Sequence, residues 1–400
     1  MARTRAPRLR PAGGLVAVSC AAALSAMTLP AQAVPEGRIL GAGAPGTVSG
    51  SYLVTLKGDT EAASSAGKSL VGRYGARISH TYGAVLNGYA VTADARQARR
   101  LAADSRVASV AQDTRVLVEG TQKNPPSWGL DRIDQRSLPL DRRYTSPGSG
   151  GKGVTVYVID TGVRTTHKDF GGRASSGWDF VGRDRTAQDG NGHGTHVAAT
   201  VAGSAYGVAK KARVVAVRVL DAEGAGTTAR VIAGIDWVTK HARKPAVANL
   251  SLGGARNAQL DAAVRASIAS GVTYTVAAGN SGRPASLYSP AGVPQAITVG
   301  ATDRTDTRAA FSNYGAAVDL FAPGVSVTSA SRVSDTARIT WSGTSMAAPH
   351  AAGAAALYLS AHPRAKPAQV AGSLVAGAAT GKVNGRGTGS PNRLLRVPHG

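Results

Sequence analysis

Apolar and polar positions along the chain fall into two regimes, with the change near residue 120. In the first regime, strand-like runs are predicted over 51–56 (Ser51-Tyr52-Leu53-Val54-Thr55-Leu56), 78–82 and 87–91, with a final extended stretch over 107–118. Helix-spaced segments are predicted over 61–74 and 94–103. The order βαββαβ predicts a small split-βαβ, ferredoxin-like α+β module. Residues 34–50, rich in Gly, Pro, Ala and Ser, read as a linker before it. A polar stretch over 121–151, punctuated by Pro and Gly, leads into the second regime. There, Val154-Thr155-Val156-Tyr157-Val158-Ile159 is almost continuously apolar, as expected of a strand buried on both faces. Runs over 214–219, 246–250, 272–276 and 296–299 read the same way, with helical patterns over 193–202, 228–241 and 257–270 between them and a longer one over 345–361. Such alternation predicts a three-layer α/β domain with a mostly parallel central sheet and helices on both faces. No repeat of fixed period interrupts it.

Composition refines this picture. A chain of 400 residues accommodates one large domain and one small one. Aromatic residues are only 5%, so the core must be built from Ala, Val, Leu and Ile. The first residues carry an address: a basic cluster at Arg3, Arg5, Arg8 and Arg10, an apolar run over 13–27, then Ala31-Gln32-Ala33 as a small-x-small cleavage site. The apolar run is short of the roughly 20 residues that span a bilayer, so export with cleavage after Ala33 is expected, with no stable membrane anchor. A lipoprotein site at Cys20 fits poorly with Ala17-Val18-Ser19 before it. Cys20 is the sole cysteine, so a processed chain would have no disulfide, no thiolate metal site and no cysteine nucleophile. The net charge of +23 is spread over both regimes without basic–aromatic interleaving or a nucleic-acid-binding signature; a solvated basic surface is the reading, and no nucleic-acid partner is expected.

Three segments carry candidate chemistry, each where a parallel sheet puts its sites, beyond the carboxyl ends of strands. Asp160 follows the strand ending at Ile159, in Val158-Ile159-Asp160-Thr161-Gly162. His193 opens a helix in Asn191-Gly192-His193-Gly194-Thr195-His196, where the helix N-terminus disfavours the imidazolium. A metal site using His193 and His196 is the competing reading, but no His-Glu-x-x-His pattern is present. Ser345, in Gly343-Thr344-Ser345-Met346-Ala347-Ala348-Pro349-His350, opens the longest helix, whose free N–H groups can receive an oxyanion; Pro349 is tolerable as lying close to the first turn. Alone, each residue reads more simply as a turn or cap residue. Together they supply a hydroxyl nucleophile, a base and a carboxylate to orient it. Asn280, in Ala277-Ala278-Gly279-Asn280, adds a side-chain donor for an oxyanion.

At these residues the sequence resembles the subtilisin-like serine peptidases, the subtilases, whose triad follows the chain order Asp…His…Ser. The resemblance is to the proteinase K and aqualysin branch and runs from 126 to 395. It includes Trp128-Gly129-Leu130-Asp131-Arg132-Ile133, Asn249-Leu250-Ser251-Leu252-Gly253-Gly254 and Phe311-Ser312-Asn313-Tyr314-Gly315. The module over 51–118 resembles the inhibitory propeptide of these enzymes, which aids folding, blocks the cleft and is removed by the enzyme itself, here near Gly120. The implied organisation is a signal peptide over 1–33, linker and propeptide over 34–120, and a peptidase domain over 121–400. The implied activity is secreted, broad-specificity endopeptidase action on polypeptides by a monomer. No further C-terminal domain is expected.

The resemblance also assigns a cleft. Gly224-Ala225-Gly226 and Ser251-Leu252-Gly253 match the two edges that pair with an extended substrate, and Ala277-Ala278-Gly279 matches a wall of the pocket for the residue before the cut. Small residues there imply a roomy apolar pocket favouring aromatic or large aliphatic side chains. Calcium is the implied cofactor, as a structural ion: one family site matches Pro294, Ala296 and Asp319, and a second, found in some relatives, resembles Asp131, Asp134, Gln135 and Asp141. At the second, Arg143 occupies a place where a neutral ligand is expected. Close relatives carry cysteines where Asp189-Gly190-Asn191 and Asp221-Ala222-Glu223-Gly224 have none. A binding protein that keeps the fold but lacks catalysis is the alternative; such proteins usually lack a triad member, and all three are present here.

Overall fold

The computed structural model describes residues 35–43, 47–83, 87–114 and 120–397; the expected signal peptide and the segment 115–119 lie outside the described residues. The chain divides into two compact units, one built on residues 50–112 and one on residues 113–400.

The small unit contains β1 (Ile39–Leu40), β2 (Thr47–Leu56), α1 (Ser65–Arg73), β3 (Arg77–Tyr82), β4 (Gly88–Thr92), α2 (Ala95–Ala102) and β5 (Val107–Thr114). Its sheet order, β1-β5-β2-β4-β3, contains the ferredoxin-like order. Two elements differ from expectation. The linker contains β1, because Ile39 finds a parallel partner in Val110 and is buried by it. The first helix starts at Ser65 rather than at 61, because the Asn87 carboxamide holds residues 60–62 in a turn: Oδ1 accepts from Ala62 N at 2.9 Å and Nδ2 donates to Thr60 O at 2.9 Å. Ser64 then caps the helix by accepting from Gly67 N at 3.0 Å.

The large unit opens with β6 (Gly120–Lys123), α3 (Trp128–Ile133) and β7 (Arg143–Ser146), so the polar stretch punctuated by Pro and Gly holds a short helix and a paired ribbon, β6 with β7. There follow β8 (Thr155–Asp160), β9 (Ala174–Asp179), α4 (His193–Ala202), β10 (Arg213–Arg218), α5 (Thr228–His241), β11 (Ala246–Leu250), β12 (Gly254–Ala255), α6 (Ala258–Ala269), β13 (Thr273–Ala277), β14 (Tyr288–Ser289), β15 (Ile297–Thr302), β16 (Leu320–Pro323), β17 (Val327–Ala330), β18 (Arg338–Trp341), α7 (Thr344–Ala361), α8 (Pro367–Gly377), β19 (Ala379–Thr380) and β20 (Arg393–Leu394). Among the described residues the main sheet has the order β19-β20-β16-β15-β13-β11-β8-β10-β9, parallel except for the β19–β20 pair.

Strand β8 shows why its sequence is apolar throughout. Val156 and Val158 enter the core shared with α4, α7 and α8, while Tyr157 and Ile159 enter the core shared with α5 and α6. Helices therefore pack on both faces of the sheet. Helix α7 is apolar all round and almost wholly buried, which fixes its first turn rigidly against the carboxyl ends of the strands.

Candidate active site

Asp160 ends β8 with its side chain fully buried. Its Oδ1 accepts from Thr161 N and sits 2.7 Å from His193 Nδ1. A buried carboxylate at that distance makes Nδ1 the protonated ring nitrogen and leaves Nε2 as the basic one. His193 is the first residue of α4, and 23% of its side chain is exposed. Burial lowers its pKa, but the charge and hydrogen bond of Asp160, joined by the charge of Asp189, outweigh this, so the imidazole titrates above its ordinary value. The helix N-terminus, expected to keep the ring neutral, is thus overridden by the two carboxylates.

Asp189 has no assigned role in the sequence reading, yet it organises the loop. Its Oδ1 accepts from Asn191 N, Gly192 N and Thr161 Oγ1, and its Oδ2 from Thr195 N and Thr195 Oγ1. The carboxylate thereby caps α4 in place of Gly192, which has no side chain to do so. His196 is not free to join His193 on a metal: its Nε2 lies 3.0 Å from Val327 O, and burial drives its pKa down to about 3. The Trp341 indole covers both rings, 6.2 Å from His193 and 5.3 Å from His196.

Ser345 is the second residue of α7, and Thr344 is the first. Pro349 is accordingly the sixth residue of the helix, just beyond the first turn. Proline there removes the N–H that would donate to the carbonyl four residues back, which is that of Ser345. The vacancy is filled by Ser251 Oγ, which donates to Ser345 O at 2.8 Å. Ser345 Oγ in turn donates to Ser251 O at 3.0 Å. The hydroxyl's hydrogen bond thus runs to the Ser251 carbonyl and not to the His193 ring.

Asn280 has its carboxamide oriented by the same helix start. Oδ1 accepts from Thr344 N and from Thr344 Oγ1, both at 2.8 Å, leaving Nδ2 free to donate elsewhere. Nδ2 and Ser345 N both lie beside Gly343: a Cβ built there would be 3.5 Å from the first and 3.7 Å from the second. Thr344 Oγ1 also accepts from Gly279 N. Behind this strand end, buried Asn313 donates to Ala278 O and accepts from Ser281 N and Arg283 N. Neither Thr344 nor Asn313 was assigned a role from sequence, although both lie inside the motifs that stood out.

His193, Gly224, Gly226, Ser251, Leu252 and Gly253 line one cleft of ≈ 630 Å³. Leu252 and Gly253 continue into an adjoining cavity of ≈ 190 Å³ with Ala277, Ala278, Gly279, Asn280 and Ser345. Ala225 is apart from these: its N–H and carbonyl close a turn with Asp221.

The metal candidates are less assembled. Among the described residues no group of three or more His, Cys, Asp or Glu is arranged to hold a metal ion. Asp131 accepts from Asp141 N and Arg142 N, Asp134 from Thr145 N, and Gln135 Oε1 from Asp141 N, so this loop closes on its own N–H groups. One oxygen, Asp134 Oδ1, stays buried without a partner among the described residues; burial, with the charges of Asp141 and Asp131 adding to it, pushes that carboxyl up to about 7. At the other candidate, Asp319 accepts from Thr298 N at 2.8 Å and is pushed up to about 6 by burial.

Comparison with known proteins adds independent findings. The subtilase family model matches residues 151–394, and the peptidase inhibitor I9 model matches residues 51–119. An extracellular serine proteinase of Thermus sp. (strain Rt41A) is 48% identical over 92% of this chain and 94% of its own. A cuticle-degrading serine protease of Arthrobotrys oligospora is 40% identical over 93% of this chain and 96% of its own. A crystal structure of a cold-adapted subtilisin-like serine proteinase superposes with a TM-score of 0.67 at 53% identity, covering 68% of this chain and 98% of that one.

Proposed function

Because the chain belongs to the subtilase family of serine proteinases and carries an I9 inhibitor domain as its propeptide, we propose that it is an endopeptidase of broad specificity, acting through Ser345, His193 and Asp160. His193 Nε2 takes the proton from Ser345 Oγ as that oxygen attacks the peptide carbonyl carbon. For this the hydroxyl leaves the Ser251 carbonyl and turns to the imidazole. Asn280 Nδ2 and Ser345 N–H donate to the oxyanion. The imidazolium, held by Asp160, gives its proton to the departing amine as the C–N bond breaks, and water then releases the acyl group by the same steps in reverse order. The observation that carries this reading is the 2.7 Å contact of His193 Nδ1 with a fully buried Asp160, which fixes the tautomer that such a base requires.

The substrate lies extended along Gly224-Ala225-Gly226 and Ser251-Leu252-Gly253, and the residue before the cut enters the cavity walled by Ala277-Ala278-Gly279. The small apolar lining favours aromatic or large aliphatic side chains there. The enzyme acts first on its own chain near Gly120, with its propeptide as intramolecular inhibitor. Export through the N-terminal address and work outside the cell as a monomer complete the reading. A relative described as extracellular supports it, and among the described residues no helix is long and apolar enough to cross a membrane.

Calcium fits the oxygen donors at Pro294, Ala296 and Asp319, where main-chain carbonyls and a half-buried carboxylate would hold it; its role is structural, replacing the cross-links that the absent cysteines cannot supply. Asp131, Asp134, Gln135 and Asp141 would hold a second ion through Asp134 Oδ1, the oxygen without a partner.

The test is Ser345→Ala in the full chain. The precursor should stay uncut and casein hydrolysis should disappear. Normal self-processing by a variant free of other proteases would overturn the assignment.

A further inference from the structure

Helix α5 leaves part of the main sheet uncovered. Its Trp237 reaches β9 at Gly177, where a Cβ would come within 2.7 Å of the indole. Trp237 meets Tyr157 edge-on at 6.4 Å and stacks on His241 at 4.4 Å. Beyond this aromatic corner the face of β8, β10 and β9 stays open as a groove of ≈ 650 Å³. Thr155 and Arg213 line it, and they begin β8 and β10, so the groove sits at the opposite end of the strands from Asp160.

Two features of the groove point to a ligand. Arg213 and Arg243 are exposed on its rim, and among the described residues neither guanidinium has a hydrogen-bond or ion-pair partner. Arg173, also in the lining, differs: its guanidinium is taken up by Ala202 O, Ala212 O, Asp169 O and Ser204 Oγ. The second feature is β9 itself. It ends the nine-stranded order; Asp179 at its carboxyl end exchanges main-chain hydrogen bonds with Asp184, but before that residue, where Ser175 and Ser176 are exposed, the outer edge has no strand partner among the described residues.

We propose that this groove is an exosite for an extended acidic peptide, which adds as a strand to the free edge of β9 and turns alternate carboxylates toward Arg213 and Arg243. A strand on that edge presents every second side chain to the groove face. Guanidinium groups bind carboxylates through paired N–H donors. The free strand edge selects a peptide over other polyanions, because only a peptide returns main-chain hydrogen bonds. The use of the groove to hold substrate proteins rests on the peptidase reading; the binding itself does not.

The experiment measures fluorescence anisotropy of a labelled peptide alternating Glu and Thr with the full-length Ser345→Ala protein. Adding Arg213→Ala and Arg243→Ala together should weaken binding by about tenfold or more. Replacing Glu by Gln in the peptide, or methylating alternate backbone nitrogens, should weaken it comparably. Equal binding by the double variant, by the Gln peptide or by the methylated peptide would overturn the proposal, as would equal binding of a sulfated polysaccharide through the same two arginines. In the Ser345-bearing protein, the double variant should cleave a short neutral peptide at the parent rate, which also shows that it folds. Failure of the parent to cleave that peptide would strike the peptidase reading and leave the binding result standing.

Discussion

Ser251 and Ser345 exchange hydrogen bonds: each hydroxyl donates to the other residue's carbonyl, at 2.8 Å and 3.0 Å. The exchange ties the strand-end segment of the cleft to the start of α7, and Pro349 makes it possible by leaving Ser345 O without its helical donor. Removing the Ser251 hydroxyl should therefore strand a shielded carbonyl, at a cost of about 1–3 kcal/mol. In a Pro349→Ala background the restored N–H can donate to Ser345 O, and the cost of Ser251→Ala should shrink. A double-mutant cycle by denaturant unfolding of the Ser345→Ala precursor reads this coupling. Additive losses would show that Pro349 and Ser251 do not share that carbonyl.

That exchange also shows where the sequence stops being informative. Strand β8 was legible because its burial on both faces forces a continuous apolar run. The segments bearing Asp160, His193, Asn280 and Ser345 were legible because each combines a polar side chain with glycines or a helix start at a strand end. The partnership of Ser251 with Ser345 was not, because it joins positions 94 residues apart through main-chain oxygens that every residue possesses. Asp189 escaped for a similar reason. Its five acceptor contacts go to neighbours in a loop whose shape no periodicity reports. In the small unit, β1 lies in a stretch of linker-like composition and exists only because Val110 is beside it.

Thr344 holds Asn280 by two hydrogen bonds that leave Nδ2 free. Asn280→Ala should lower kcat by about 10²–10³ with little change in KM, since the donor acts only when the oxyanion forms. Thr344→Val keeps the main-chain donor and loses the hydroxyl, so the carboxamide is held by one bond instead of two. A smaller loss, roughly tenfold in kcat, is expected, one hydrogen bond's worth. Steady-state kinetics on a short peptide separates the cases. A loss confined to KM would refute the positioning role.

The pH profile should follow His193. In the proposed mechanism the base works as neutral imidazole, so kcat/KM should fall as pH drops through its pKa. Asp160 and Asp189 raise that pKa, so the acid limb should have its midpoint above the ordinary histidine value of 6.5, with activity persisting into the alkaline range. Asp160→Asn removes a negative charge and the acceptor at Nδ1. The imidazolium then loses stabilisation, and the limb should move to lower pH even as kcat falls by about 10⁴. An acid limb that keeps its midpoint in this variant would mean that another group controls it.

Asp319 supplies the test of the calcium reading. Burial pushes its carboxyl up to about 6, so its ionised form is disfavoured where it stands and gains from a cation beside it. With no cysteine after Cys20, the proposed ion, held by main-chain oxygens and this carboxylate, would be a staple for the large unit. Removing metal with a chelator should lower Tm by several degrees, about what the loss of a ligand at 100-fold its Kd or more produces. Asp319→Asn should start from a lower Tm with calcium present and respond much less to the chelator. Asp134→Asn, made separately, should abolish only the share of the shift that belongs to the second cluster. A melting curve indifferent to thorough metal removal, or an Asp319→Asn protein with the full parental response, would count against calcium at Pro294, Ala296 and Asp319.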